Sequence, residues 1–277
     1  MMNTLKLAET WADSRNDVVP HSRPGYAKLF FSIQDIGELL RLDGPQKQEM
    51  SEQGPQFHPR RVKAGELIYR LGQPFESLYV VRFGFLKIVL RNSEGDERVL
   101  SFPMKGNLLG LDGLFCNRYG TEAVALTDCE LIIIPFKQIL AMGHSCRELE
   151  QMIYLATSRE IMEEHAGISL SGPLKSEARV AGFLEELAKR YAALGYSSQE
   201  MSLPMTRRDI GCYLGLTLET VSRTLSALAE AGAISVRRKD IQILKPELLH
   251  LFQSFRSLPQ QKIRLSQPLF FCSTTVQ

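Results

Sequence analysis

The sequence is short of several features, and each shortage removes a class of function. No apolar run approaches the roughly 18 residues that suggest a membrane span, so no membrane is expected as a partner. Residues 1–15 lack the continuous apolar stretch of a secretion signal, which points to a cytoplasmic protein. The five cysteines are Cys116, Cys129, Cys146, Cys212 and Cys272. Their number is odd and no two form a Cys-x-x-Cys pair, so neither a disulfide framework nor a zinc-finger spacing is present. Each reads as a small, packed apolar residue. Histidine is missing between Pro59 and Phe136, where a metal-holding cupin would need several. No Walker loop, nucleophile elbow or paired-histidine zinc helix occurs either, and the chain is expected not to be an enzyme. A formal net charge of +2 excludes a generally polybasic protein but leaves local patches open.

What remains is an ordinary globular composition, 44% hydrophobic and 23% charged over 277 residues. At about 150 residues per domain, two domains are expected. Residues 1–30 read as a loose leader running into a helix marked by Ile33, Ile36, Leu39 and Leu40. Between Pro59 and Phe136 short β-rich runs follow one another: Leu67–Tyr69, Leu78–Val81, Leu86–Leu90, Val99–Phe102 and Leu131–Ile134. Glycines separate them, and Ser93–Asp96 with its Gly95 reads as a hairpin turn. The fold class expected is therefore α+β. An N-terminal antiparallel β-roll of cupin-like jelly-roll form occupies 31–144.

After Pro135 the period becomes helical. Leu149, Met152, Ile153, Ala156, Met162, Ala166 and Ile168 lie close to an i, i+3, i+4 stripe over 145–170. A helix of that length reaches about 37 Å, long for a surface helix. Packing on its own barrel is one reading; pairing two subunits as a coiled-coil-like dimer helix is the favoured one. Ser171-Gly172-Pro173 then breaks it. A compact helical segment with a β ending fills 171–250, opened by Val180, Phe183, Leu184, Leu187 and Tyr191 on one helix face. Residues 251–277, including Pro268-Leu269-Phe270-Phe271-Cys272, form a tail.

The most informative stretch is Thr206 to Leu244. Thr206 with Asp209 three residues on resembles a capping box. Ile210 and Leu214 mark the inner face of a short helix, Gly215-Leu216 a tight turn, and Thr217 a cap for a second helix. There Val221, Leu225 and Leu228 face inward, leaving Glu219, Ser222, Arg223 and Ser226 outward. Two helices joined this way make a helix-turn-helix, whose second helix reads the DNA major groove. Ile234, Val236, Ile241 and Ile243 then flank Arg237-Arg238-Lys239-Asp240, a hairpin wing with a basic tip. Between Leu203 and Pro246 seven basic residues face four acidic ones, a larger surplus than the +2 of the whole chain. Double-stranded DNA is the partner this implies.

The order β-roll, long helix, winged helix-turn-helix resembles the CRP/FNR family of bacterial transcription regulators over about 30–250. AGELIYRLGQPFESLYVVRFGFLKI (Ala64 to Ile88) is similar to the family's glycine-spaced strands. DIGCYLGLTLETVSR (Asp209 to Arg223) is very similar to the FNR branch, whose reading helix carries Glu-x-x-Ser-Arg. The resemblance implies a homodimer that recruits or blocks RNA polymerase and reads a palindrome with half-sites like TTGAT. Glu219, Ser222 and Arg223 would touch bases: Arg offers a fork to guanine, and Glu accepts from the cytosine amino group. Arg207, Thr217 and Thr220 fall where relatives contact phosphates. Thr206, Arg237, Arg238 and Lys239 join them as phosphate contacts. The competing reading of Glu219 and Arg223 is a surface ion pair worth about 0.3–0.5 kcal/mol.

The signal is a separate question. In the cyclic AMP receptors of this family a Glu for the ribose and an Arg-Ser pair for the phosphate are expected, where this chain has Leu111, Thr121 and Glu122. The resemblance therefore argues against cyclic AMP in the usual mode. The FNR iron–sulfur cluster uses cysteines near the N-terminus and one in the β-roll. Here no cysteine precedes Cys116, and Ile132 stands at the β-roll position. Four thiolates are normally needed, so an FNR-type cluster is not expected. Haem or gas ligation by His21, His58, His144 or His165 stays open, as does a redox thiol at Cys116, Cys129, Cys146 or Cys212. His144 and Cys146 form a pair too small to define a metal site. A regulatory module of the cyclic-nucleotide type without DNA binding is the alternative function.

Overall fold

The computed structural model describes residues 29–41, 55–91, 95–136, 147–170 and 174–253. The leader up to 28, the Ser171-Gly172-Pro173 break and the tail from 254 lie outside them, as do His21, His144, Cys146 and Cys272.

The first helix, α1 (Ile33–Leu40), starts where Ser32 and Asp35 cap each other. Asp35 N–H donates to Ser32 Oγ at 3.2 Å, and Ser32 N–H donates to Asp35 Oδ2 at 2.8 Å. Ile33, Ile36 and Leu40 turn inward and close one end of the β-roll.

Eight strands follow. They are β1 (Pro59–Val62), β2 (Leu67–Tyr69), β3 (Ser77–Phe83), β4 (Leu86–Arg91), β5 (Glu97–Ser101), β6 (Leu108–Leu109), β7 (Glu122–Ala125) and β8 (Cys129–Pro135). A short helix, α2 (Gly113–Cys116), lies between β6 and β7. They build two four-stranded antiparallel sheets in the orders β1-β8-β3-β6 and β2-β7-β4-β5. Strands β1, β6 and β7, which carry no β-branched or aromatic run, were not legible in the sequence. Gly84 turns β3 into β4 at φ +95°, and a Cβ there would lie 2.4 Å from Cys129 Sγ. Only glycine fits both demands.

The long helix α3 (Arg147–Leu170) runs for 24 residues. Leu149, Met152 and Ala156 are buried against the β-roll. Tyr154, Leu155, Ile161 and Met162 point away, with 71%, 45%, 47% and 70% of their surfaces exposed. The helix thus has two apolar faces. One, with Leu149, Met152 and Ala156 of the stripe read from sequence, packs on the barrel; the other joins Tyr154, Leu155 and Ile161 to Met162 at seven-residue spacing and is exposed.

The last part holds α4 (Ser176–Ala193), β9 (Glu200–Ser202), α5 (Arg207–Leu214), α6 (Leu218–Glu230), β10 (Ile234–Arg237), β11 (Asp240–Ile243) and α7 (Pro246–Gln253). The strands form a sheet in the order β10-β11-β9. The closing helix α7 crosses position 250, packs on α4 and buries Leu249. Val180, Leu184 and Leu187 of α4 share a core with Ile210, Leu214, Val221, Leu225 and Leu228. Val99, Phe102 and Met104 of the β-roll belong to the same core. The edge strand β5 therefore packs directly against the helix-turn-helix.

Candidate nucleic-acid interface

Local chemistry fixes the α5–α6 unit. Thr206 and Asp209 cap α5 reciprocally: Asp209 N–H donates to Thr206 Oγ1 at 3.1 Å, and Thr206 N–H donates to Asp209 Oδ2 at 2.9 Å. Gly215 ends α5 at φ +66°. Gly211 admits the returning chain, since a Cβ there would meet Leu216 O at 2.5 Å. Thr217 then caps α6, its Oγ1 accepting from Thr220 N–H at 3.1 Å.

Val221, Leu225 and Leu228 are buried beneath α6. Glu219, Arg223 and Ser226 stand exposed, with Ser222 half-buried beside them. Among the described residues the i, i+4 ion pairs are Arg159–Glu163 and Glu185–Lys189, and none joins Glu219 to Arg223. The polar face of α6 is therefore not consumed by its own salt bridge.

One further residue on this face escaped the sequence reading. Leu218, the first of α6, has half its surface in solvent (50%) beside Glu219. An exposed leucine at the leading edge of a candidate reading helix was the available signal. Thymine's methyl group is the apolar feature a major groove offers such a side chain.

The residues read as phosphate contacts separate into two groups. Arg237, Arg238 and Lys239 are exposed at the wing tip, where Arg238 makes the turn at φ +57°. Thr217 and Thr220 share one hydroxyl hydrogen bond at 2.9 Å, which leaves one of their two protons for an outside acceptor. Thr206 and Arg207 are also bonded within the chain. The single Thr206 hydroxyl proton goes to Asp209 Oδ2 at 2.6 Å, and its N–H goes to the same oxygen, so neither is left for a phosphate. Arg207 Nη2 donates to the Arg238 carbonyl at 3.0 Å. Its guanidinium holds the wing tip against α5, and burial lowers its pKa.

Inside the β-roll, aromatic and polar side chains bond one another. Tyr69 stacks on Tyr119 with ring centroids 4.0 Å apart, and on Tyr79 of the facing sheet at 5.9 Å. Thr121 Oγ1 donates to Asp112 Oδ2 at 2.8 Å. Glu122 faces the strand β4, where Arg91 Nε pairs with it at 3.0 Å. Ile132 is fully buried in β8, and no group of three or more metal-ligating side chains occurs among the described residues. His58 lies exposed against the Phe30 ring, 4.6 Å between centroids. Cys116 is exposed, Cys212 half-buried and Cys129 buried, where desolvation pushes its thiol pKa up. No helix among the described residues is long and apolar enough to cross a membrane.

Comparison with known proteins agrees with this layout. A family model described as a cyclic nucleotide-binding domain matches residues 59–145, and one described as a Crp-like helix-turn-helix domain matches 178–252. The transcriptional regulatory protein btr of Bordetella pertussis is 40% identical over 184 residues, covering 66% of this chain and 76% of that one. The transcriptional activator protein anr of Pseudomonas aeruginosa is 35% identical over 185 residues, covering 67% and 76%. The solved structure of FixK2 from Bradyrhizobium japonicum superposes with a TM-score of 0.65 at 27% identity, covering 73% of this chain and 99% of that one. The chain belongs to the CRP/FNR family and is a transcription regulator with a helix-turn-helix DNA-binding domain.

Proposed function

We propose that two copies of the chain pair through α3 and read a palindrome of TTGAT-like half-sites, one per subunit. The observation that carries this reading is the outward face of α6. Glu219, Ser222 and Arg223 line it without an ion pair of their own, over a base that the capping residues and glycines hold rigid. Arg and Glu at these places match the hydrogen-bonding edges of a G·C pair.

The division of labour follows the sequence order. Residues 31–144 form the sensor, 145–170 the pairing helix and 171–250 the DNA reader. Leu155 and Met162, with Tyr154 and Ile161, supply the apolar seam a second α3 would cover. Pairing sets the two reading helices about 34 Å apart, one turn of DNA. The wing residues Arg237, Arg238 and Lys239, with Thr217 and Thr220, hold phosphates and fix register rather than sequence.

A signal acting at the β-roll or along α3 would shift the population of DNA-competent dimers through differential affinity for the two states. Cyclic AMP in its usual mode and an FNR-type cluster are not that signal, because the side chains each requires are replaced. The bound dimer acts on RNA polymerase in the cytoplasm and catalyses no reaction of its own. Selection from a random duplex library, followed by sequencing, tests the reading. Enrichment of a TTGAT-like inverted repeat is expected, and an unstructured or direct-repeat consensus would overturn it.

A further inference from the structure

At the junction between β-roll and reader one cation is held between two carboxylates. Lys87, near the start of β4, places Nζ 2.7 Å from Asp209 Oδ1 on α5 and 2.6 Å from Glu97 Oε1 on β5. All three side chains are largely buried, with 16%, 10% and 20% of their surfaces exposed. Asp209 divides its two oxygens: Oδ2 closes the cap of α5, and Oδ1 reaches across to the β-roll. The cap that starts the helix-turn-helix and the bond that ties it to the sensor are thus one carboxylate.

Around this pair the contact is mostly apolar, with one further polar tie from Arg190. The Phe102 ring meets Tyr213 of α5 at 5.3 Å and Phe183 of α4 at 6.0 Å. Arg190 of α4 donates to the Phe102 carbonyl at 3.1 Å. Apolar contact is non-directional and permits sliding, whereas a short ion pair on a rigid stem does not. The Lys87 stem is rigid because β4 is paired on both sides, with β7 and with β5. Without the ammonium, Asp209 and Glu97 would be left as two poorly screened like charges, which pushes α5 away from the sheet.

We infer that Lys87 is a positioning residue for DNA reading: through Asp209 it sets the angle at which the α5–α6 unit leaves the β-roll, and hence the separation of the two reading helices in the dimer. Lys87 is bound to two carboxylates at the sensor junction, so it holds no phosphate. This inference rests on the palindrome-reading dimer proposed above.

The test uses the full chain and a set of duplexes whose TTGAT half-sites are moved apart or together by single base pairs. The unaltered chain is expected to favour one spacing by tenfold or more; no palindrome preference at any spacing would sink the DNA reading itself. Lys87→Gln is expected to reduce the spacing preference to about twofold. The slope of log affinity against log salt should stay unchanged, since no phosphate contact is lost. Lys87→Arg should restore the preference. Asp209→Asn, which keeps an acceptor for the cap, should behave like Lys87→Gln and serves where the latter fails to fold. A Lys87→Gln chain that keeps the sharp spacing optimum contradicts the inference. So does one that weakens equally at every spacing with a slope shallower by about one, the mark of a lost phosphate contact.

Discussion

Tyr69 lies flat on Tyr119, the two rings 11° from parallel with centroids 4.0 Å apart, between the sheets of the β-roll. Tyr69 is pinned there by the Thr121 side chain and the Gly110 backbone, and burial holds its hydroxyl proton far above the usual phenol range. The aromatic stack and the Asp112–Thr121 bond occupy the β-roll interior. Cyclic AMP at millimolar concentration should therefore change neither the melting midpoint nor the DNA affinity. Tyr69→Ala should cost about 3–5 kcal/mol of stability, as large buried aromatics do when truncated. A cyclic-AMP-dependent rise in melting midpoint in the unaltered chain would contradict this account.

Base contacts and phosphate contacts leave different signatures. Arg223→Ala should cost about 1–3 kcal/mol of binding and relax the preference at one base pair. Lys239→Ala should weaken all sequences alike and reduce the salt slope by about one. Binding isotherms at several salt concentrations, on single-base variants of the site, separate the two. Arg207→Ala should resemble neither, because its guanidinium holds the Arg238 carbonyl; the wing should loosen, visible as faster amide exchange in β10 and β11.

Leu218 offers an apolar surface to the groove. Replacing the site's thymines by uracil removes only their methyl groups, and the unaltered chain should lose about 1 kcal/mol for a buried methyl. Leu218→Ala should bind both duplexes equally. An unaltered chain indifferent to the replacement would mean that Leu218 faces no thymine.

Glu160 on α3 gives a pH signature. Its Oε1 accepts from Asn107 Nδ2 at 2.9 Å and from Leu108 N–H at 3.2 Å. Burial raises its pKa above the ordinary 4.5; Glu163 adds to this, and the two hydrogen bonds and Arg159 oppose it. A carboxyl whose folded pKa exceeds its unfolded one costs stability when ionised, so its contribution is complete below 4.5 and declines as pH rises through the folded value. Asp209 works the other way. Desolvation opposes its ionisation, but the Lys87 and Thr206 bonds prevail, so its stabilisation disappears only below 3.8. Glu160→Gln should gain stability over the parent at neutral pH and lose that advantage as pH falls through the folded pKa towards 4.5. Thermal melts of both chains across that range check it.

The helix-turn-helix was legible because each signal was local. Thr206, Asp209, Gly215 and Thr217 sit at fixed offsets from one another, and Val221, Leu225 and Leu228 keep helical spacing. Strands β2, β3, β4, β5 and β8 were legible within a residue or two from their β-branched and aromatic runs. The two-residue β6 carries too few positions to show alternation, and β1 and β7 lack the β-branched or aromatic run that marks β2; these strands exist through their partners. The double character of α3 and the Lys87–Asp209 bridge were hidden for a related reason. Each depends on which distant element lies opposite, and 122 positions separate the two bridge residues. The Arg207–Arg238 contact was hidden too, because sequence gives the residue type but not the acceptor that lies opposite it.

The central claim is a sequence-specific reading head. It is tested most directly by the affinity of the full chain for a TTGAT palindrome against a scrambled duplex of equal length, at physiological salt. The account predicts binding at least about a thousandfold tighter to the palindrome, the range of specific protein–DNA recognition. Equal affinities for the two duplexes would contradict it.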